Sequence, residues 1–164
     1  MIIALAEHLQ LPSVLDRREA VIAVATGEVS AAALHADWLV MSAGARLVVE
    51  QGPSNAAVVG ALVWRMGVRA RRLLLGSSAA LHGAEALEWG IADAVVPDGV
   101  DALEWTRQWA SSRSERSIDV VAQLLRSRGG DPLERALFAW LFTTGEPQEG
   151  LRAFLEKRPA RFQR

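Results

Sequence analysis

Three short runs of apolar residues constrain the fold more than any other feature of this sequence. The first run, residues 20–25, reads AVIAVA; residues 38–41 and 46–50 follow it and are joined by a turn at 42–44. Runs that are this short and this continuously apolar predict strands buried on both faces. Such strands are typical of a parallel sheet with helices packed over it. The sequence therefore predicts an α/β fold.

After Pro53 the pattern becomes helical. One short helix is predicted before this point, over residues 31–36. After it, helices are predicted over residues 55–66, 68–75, 85–88, 98–111, 116–126, 133–143 and 148–156, with a further strand at 91–96. Asp131 is predicted to cap one helix, with Pro132 in its first turn and Glu134 reaching back. Residues 2–10 also have apolar positions at helical spacing and predict a first helix. Together these patterns predict a small buried sheet followed by a helical C-terminal half, in one domain spanning residues 1–164.

Composition excludes several classes of function. A net charge of −1 gives no electrostatic basis for binding nucleic acid or an anionic membrane. The chain has no cysteine, and its histidines (His8, His35, His82) are scattered, so a metal site is not expected. No bound cofactor is predicted. The first apolar run follows no basic residue and is interrupted by Glu7 and His8. We therefore expect neither a signal peptide nor a membrane span, and a cytoplasmic location.

Three motifs follow one another in a fixed order. Residues 67–76 read GVRARRLLLG, residues 81–97 read LHGAEALEWGIADAVVP, and residues 149–162 read EGLRAFLEKRPARF. All three are similar to motifs of the enoyl-CoA hydratase/isomerase (crotonase) superfamily, whose terminal signature is Glu-Gly-x-x-Ala-Phe-x-Glu-Lys-Arg-x-x-x-Phe. Residues 20–53 resemble the family segment that runs from its central strand through the oxyanion loop. The resemblance implies a crotonase-like fold that is shortened at its N-terminal side.

The resemblance also implies a ligand and a chemistry. Crotonases bind an acyl thioester, carried by CoA or by a carrier protein, and two backbone N–H groups stabilise the enolate that forms. In the family, one N–H comes from a more N-terminal segment, for which a separate partner chain is a candidate source here. The other comes from a Gly-Gly-Gly turn that opens a helix. The corresponding stretch here is GEVSAA, with Gly27, Ser30 and Ala31 as the candidates for the oxyanion loop.

The family's two catalytic glutamates are poorly matched. The position of the first is nearest to Ala31 or Ala32. The second position falls at Glu50, which is the candidate acid/base, although a solvated residue at a strand end is the alternative. For Glu28 a surface position in a turn is favoured over a catalytic one. For His35 a structural histidine is favoured over a base.

The C-terminal signature implies a nucleotide site. By resemblance, Phe154 would contact the adenine of CoA and Lys157 a phosphate. Lys157 is the one lysine in a chain with 17 arginines. The alternatives are that Phe154 is a core residue and that Lys157 is a solvated one.

An assembly is also predicted. Family members assemble through their C-terminal helices, and large apolar residues are concentrated here in Leu137, Phe138, Trp140, Leu141 and Phe142. We therefore expect a homotrimer or a hexamer.

Two hypotheses about function remain open. In the first, the chain is a short enoyl-CoA hydratase/isomerase-type enzyme, a lyase or isomerase that uses Glu50 and enolate chemistry. In the second, it is a non-catalytic structural or accessory subunit that has lost the catalytic glutamates. Standard hydratase activity is expected to be weak or absent under either hypothesis.

Overall fold

The computed structural model describes residues 1–10, 19–49, 56–70, 79–127 and 130–162. The chain divides into two compact units. The first, here called the sheet unit, comprises Ile2–Arg17 and Val21–Thr106. The second, the helical unit, comprises Met1, Arg18–Ala20 and Arg107–Arg164.

The described residues contain strands and helices in the following order. The strands are β1 (Ile2–Leu5), β2 (Val21–Ala25), β3 (Trp38–Ser42), β4 (Arg46–Val49), β5 (Ala79–His82) and β6 (Ala94–Val96). The helices are α1 (Ala31–Leu34), α2 (Ala56–Met66), α3 (Gly83–Glu88), α4 (Ala102–Ser111), α5 (Glu115–Arg126), α6 (Asp131–Thr143) and α7 (Glu146–Leu155). Ala6–His8 and Gly67–Arg69 form 3₁₀ turns.

The sheet unit is built on a four-stranded parallel sheet in the order β1-β2-β3-β6. All five residues of the central strand β2 are buried. Ile22 of β2 and Leu39 and Met41 of the adjacent strand β3 are fully buried, so the apolar runs lie where a covered parallel sheet requires them. The predicted α/β class, a small buried sheet followed by a helical half, is confirmed.

A second, antiparallel pair joins β4 to β5, with Arg46 opposite His82 and Val49 opposite Ala79. Gly83 follows β5 directly and opens α3. A Cβ at this glycine would lie 2.8 Å from the carbonyl oxygen of Ser42 and 3.1 Å from Cγ1 of Val95. The backbone of α3 can therefore approach β3 and β6 this closely only because position 83 has no side chain.

The helical unit contains a buried polar cluster. Ser114 caps α5 by accepting a hydrogen bond from the backbone N–H of Ser117 at 3.0 Å. The Ser114 hydroxyl also donates to the Glu146 carboxylate, whose other oxygen lies 3.0 Å from Nη1 of Arg116. Glu146 is only 5% exposed, so these two donors compensate a charge that would otherwise be costly to bury.

Two predicted features are wrong. Residues 2–10 form β1 and a 3₁₀ turn rather than a helix, because Ile2–Leu5 pairs in parallel with β2, and this pairing overrides a periodicity read over few residues. Asp131 does not cap α6: Gly130 is the N-cap, and Asp131 accepts a hydrogen bond from Nε of Arg135 one turn later, at 3.1 Å. Pro132 does lie in the first turn. The sequence did not predict strand β5. The single domain spanning residues 1–164 stays a prediction.

Candidate functional site

The oxyanion-loop candidates follow the carboxyl end of β2, the edge of a parallel sheet where ligands are usually bound. Two backbone hydrogen bonds attach this loop to the start of β4. The Val29 N–H donates to the Arg46 carbonyl at 2.9 Å, and the Arg46 N–H donates to the Gly27 carbonyl at 3.0 Å. The N–H of Val29 is therefore already used within the protein.

The Ser30 side chain is the N-cap of α1. Its hydroxyl accepts a hydrogen bond from the Ala33 N–H at 3.2 Å and donates to the Ala6 carbonyl at 3.1 Å. The hydroxyl donates its one proton to one partner and accepts a hydrogen bond from another, so it has no proton left to donate to a ligand. Ser30 can therefore donate to a ligand only through its backbone N–H, as can Ala31, the first residue of α1.

Gly27 and Ala31 lack the features that the family's turn would bring. A Cβ at Gly27 would meet no atom within 4 Å, so a side chain would fit at this position. Ala31 presents a half-buried methyl group, and the next two residues, Ala32 and Ala33, are buried. The start of α1 thus has no carboxylate where the family's first glutamate would stand.

The other candidate acids and bases are now placed or lie outside the described residues. Glu28 is exposed, and its Oε2 lies 3.6 Å from Nη2 of Arg46, which fits the surface position favoured from the sequence. Nε2 of His35 is 3.3 Å from the carbonyl oxygen of Ala57 in α2. Glu50, the candidate acid/base, lies outside the described residues.

Arg65, on α2, is a structurally central residue that the sequence did not indicate. Its Nε donates to the Leu34 carbonyl at 2.6 Å, and its Nη2 donates to the Ala36 carbonyl at 2.7 Å. Nη1 donates to the Ile91 carbonyl at 2.9 Å and to Oδ2 of Asp93 at 3.1 Å. Burial lowers the pKa of Arg65, and the Asp93 carboxylate partly offsets this effect. The guanidinium thus joins the end of α1 to the segment that leads into β6.

The nucleotide-site candidates lie at the end of α7. Phe154 is 79% exposed, so the alternative that it is a core residue is wrong. Lys157 has a φ of 52°, in the left-handed region, and is the one non-glycine residue with positive φ among those described. The Arg158 N–H donates to the Ala153 carbonyl, and the Lys157 N–H donates to the Phe154 carbonyl. This is the Schellman arrangement, in which glycine usually takes the position that Lys157 has here.

The tail beyond Lys157 is held by one carboxylate. Arg158 makes a two-pronged contact with Glu149, with Nη1–Oε1 at 2.7 Å and Nη2–Oε2 at 3.1 Å. The Arg161 N–H also donates to Oε1 of Glu149, at 2.8 Å. These hydrogen bonds lower the pKa of Glu149 to about 2, and the bonds with the Arg158 side chain have the largest effect. The same pairing raises the pKa of Arg158.

Among the residues whose positions are described, no helix is long and apolar enough to cross a membrane. Across those same residues, no group of three or more histidine, aspartate or glutamate side chains is arranged to hold a metal ion. The loop candidates Gly27, Ser30 and Ala31 lie together in the sheet unit, and Phe154 and Lys157 lie together in the helical unit.

Comparison with solved structures defines the class of fold. A protein of the enoyl-CoA hydratase/isomerase family from Hyphomonas neptunium superposes with a TM-score of 0.70 at 28% identity, covering 93% of this chain and 64% of that one. Subunit I of a Geobacillus kaustophilus enoyl-CoA hydratase gives a TM-score of 0.73 at 25% identity, covering 93% of this chain and 66% of that one. The fold is thus that of the crotonases.

The sequence comparisons identify the family. The enoyl-CoA hydratase/isomerase family model matches residues 11–164, and the chain therefore belongs to this family. A Thermus thermophilus protein named as a candidate enoyl-CoA hydratase is 34% identical over 142 residues, which are 79% of this chain. The chain spans 56% of the length of that relative.

Proposed function

We propose that this protein binds an acyl thioester, carried by CoA or by a carrier protein, and has little or no standard hydratase activity. The observation that carries the second half of the proposal is the start of α1, where the family's first glutamate is nearest to Ala31 or Ala32 and neither residue has a carboxylate. The carboxylate of the same loop, Glu28, is in an exposed ion pair with Arg46. Membership of the enoyl-CoA hydratase/isomerase family supports the first half.

The C-terminal residues support thioester binding. The exposed ring of Phe154 offers a flat surface to a nucleotide base, and Lys157 offers a compact charge to a phosphate. Lys157 keeps a left-handed backbone conformation that is unfavourable for a residue with a side chain. Strain of this kind is often retained where a side chain has a function, which favours a role for Lys157 beyond ending the helix.

The thioester carbonyl would be polarised by the backbone at the start of α1. The N–H groups of Val29 and Ala33 already have acceptors, so the donors proposed for the oxyanion are those of Ser30 and Ala31. If the protein is active, its reaction proceeds through an enolate, with Glu50 moving the proton at the carbon next to the carbonyl. A single carboxylate suits proton transfer better than hydration, for which the family uses two.

The alternative is a non-catalytic accessory subunit, and the helical unit supplies the observation that favours it. No residue of α6 is buried within the described part of the chain, although Phe138, Trp140 and Phe142 are large and apolar. Such a surface is typical of an assembly interface. We propose that the protein forms a homotrimer or a hexamer through this surface, in the cytoplasm.

Calorimetric titration of the purified protein with acetyl-CoA tests the binding proposal. We expect saturable binding with one site per chain, weakened roughly tenfold by Lys157→Gln, since a charge-assisted hydrogen bond is lost. Phe154→Ala should also weaken binding. Arg135→Gln is the matched control, because Arg135 is an exposed cation of the same unit, paired with Asp131 on α6.

Titration with an acetylated acyl carrier protein distinguishes the two carriers. If neither acetyl-CoA nor the acetylated carrier binds at millimolar concentration, the thioester proposal is wrong. Equal loss of affinity in Arg135→Gln and Lys157→Gln would remove Lys157 from the site and leave only a general charge effect, and unchanged affinity in Phe154→Ala would remove Phe154.

A further inference from the structure

A polar cleft of about 360 Å³ opens in the helical unit, between the start of α7 and the C-terminal tail. Its lining includes Gly145, Gln148 and Arg152 from α7 and the residue before it, and Arg161 and Phe162 from the tail. Its volume is within the range of small-molecule sites in proteins. Neither Phe154 nor Lys157 lines it, so the cleft is separate from the proposed nucleotide contacts.

The acidic groups of the cleft are neutralised from outside it. Glu146 is paired with Arg116, at 3.0 Å, and Glu149 with Arg158, at 2.7 Å. Neither of these two arginines lines the cleft. The two carboxylates therefore add no uncompensated negative charge to its wall.

The two arginines of the cleft have no such compensation. Across the described part of the chain, no hydrogen bond or ion pair is found for the guanidinium group of Arg152 or of Arg161. Arg152 influences Glu149 by electrostatic attraction and, among the described residues, makes no hydrogen bond to it. This attraction is the smallest of the effects on the pKa of Glu149. The backbone N–H of Arg161 donates to Glu149, which fixes the backbone at this residue. The Arg161 guanidinium remains available to contact a ligand.

The other polar side chains of the wall make hydrogen bonds within the protein. The Thr144 hydroxyl donates to the Leu141 carbonyl at 2.7 Å, and Nε2 of Gln148 donates to the Phe142 carbonyl at 3.3 Å. Among the lining residues, positive charge comes from the two guanidinium groups, and the half-buried ring of Phe162 supplies an aromatic surface. Guanidinium groups match the paired oxygens of a carboxylate or phosphate, and a phenyl ring matches a flat or apolar body.

We propose that this cleft binds a small organic dianion, whose charged oxygens contact Arg152 and Arg161 and whose flat body packs on Phe162. The inference is independent of the thioester site. It holds whether or not the protein binds acyl-CoA.

The test is calorimetric titration with two probes that share a phenyl ring, phthalate and phenyl phosphate, with succinate as a dianion that lacks the ring. We expect at least one of the aromatic probes to bind with one site per chain. Preference for phthalate would assign the natural ligand as a dicarboxylate, and preference for phenyl phosphate would assign it as a phosphate ester. Succinate should bind more weakly than phthalate.

Arg152→Gln and Arg161→Gln should each weaken binding roughly tenfold or more, since each removes a charge-assisted contact. Phe162→Leu should reduce the advantage of phthalate over succinate. Arg135→Gln, an exposed arginine on α6, should have no effect. The melting temperature of each variant establishes that the fold is intact, and neither arginine carries a contact on which the described fold depends.

Three results would overturn the proposal. The first is no binding of either aromatic probe at millimolar concentration. The second is equal weakening by Arg135→Gln and by the cleft variants. The third is displacement of the bound probe by CoA, which would make the cleft part of the nucleotide site.

Discussion

Arg65 and Asp93 form an ion pair with unequal burial: Nη1 and Oδ2 are 3.1 Å apart, the arginine side chain is 4% exposed, and the aspartate side chain is 39% exposed. The guanidinium also donates to three backbone carbonyls. Asp93 in turn accepts a hydrogen bond from the Leu39 N–H at 2.7 Å. Arg65 thus connects α2 to the end of α1 and to the segment before β6, and Asp93 connects that segment to β3.

Replacing Arg65 should be strongly destabilising. Arg65→Met leaves buried carbonyls without a donor and a carboxylate without its cation, a loss of about 3–5 kcal/mol in the free energy of unfolding. Arg65→Lys should recover little of this, because an ammonium group cannot reproduce the planar fork. Urea unfolding measures both variants. Arg69→Lys, at an exposed arginine in the following turn, is the control and should change stability by less than about 0.5 kcal/mol.

Lys157 should show opposite effects on stability and on ligand binding. Lys157→Gly removes the strain of a left-handed residue that has a side chain, which should stabilise the fold by about 1–2 kcal/mol. Glycine also increases the entropy of the unfolded chain, which costs about 0.5–1 kcal/mol, so the variant should be slightly more stable. The same variant should lose affinity for acetyl-CoA. Lys157→Gln separates the two effects, because it removes the charge but keeps the strained backbone. A Lys157→Gly protein that melts lower than the parent would contradict the assignment of strain.

The Glu149–Arg158 pair predicts a dependence of stability on pH. The pKa of Glu149 is about 2 in the folded protein, and an unpaired glutamate has a pKa of about 4.3. A depressed pKa stabilises the fold above the unfolded value, and this contribution is lost as the pH falls from about 4.3 toward 2. Glu149→Gln should therefore flatten the acid limb of a stability–pH curve measured by urea unfolding. An unchanged acid limb would show that the pair does not contribute.

The proposed assembly depends on the exposed face of α6. Phe138 is 62% exposed and Phe142 49%, and their ring centroids are 4.9 Å apart. Phe138→Glu places a charge in the proposed interface and should convert a trimer or hexamer to monomers in sedimentation velocity at micromolar concentration. Arg135→Gln, on the same helix, should leave the assembly intact. A parent protein that sediments as a monomer would rule out the interface.

The sequence predicted those elements that carry their own local signal. The run at β2 could be predicted because every residue of the strand is buried and most are β-branched. Strand β5 (AALH) has no such signal, since its pairing with β4 is set by residues thirty or more positions away. Arg65 was missed for the same reason: an arginine in an alanine-rich helix resembles a solvated residue until the fold brings distant carbonyls to it. That neither Ala31 nor Ala32 has a carboxylate follows from residue identity alone and needs no structure.

The hydratase prediction tests the proposed function most directly. Hydration of an enoyl thioester requires a proton to be taken from water and another to be given to carbon, and a well-placed acid/base contributes about 10²–10⁴ in rate. Ala31 cannot do this, and Glu28 is held in a surface ion pair. The rate losses at these two positions need not multiply, because residues that act as a unit have non-additive effects. A loss of about 10² in rate alone would leave a poor hydratase. Crotonyl-CoA hydration by the parent and by Glu50→Gln should be close to background in both. Turnover that is robust in the parent and lost in Glu50→Gln would establish Glu50 as a catalytic residue and exclude the accessory role.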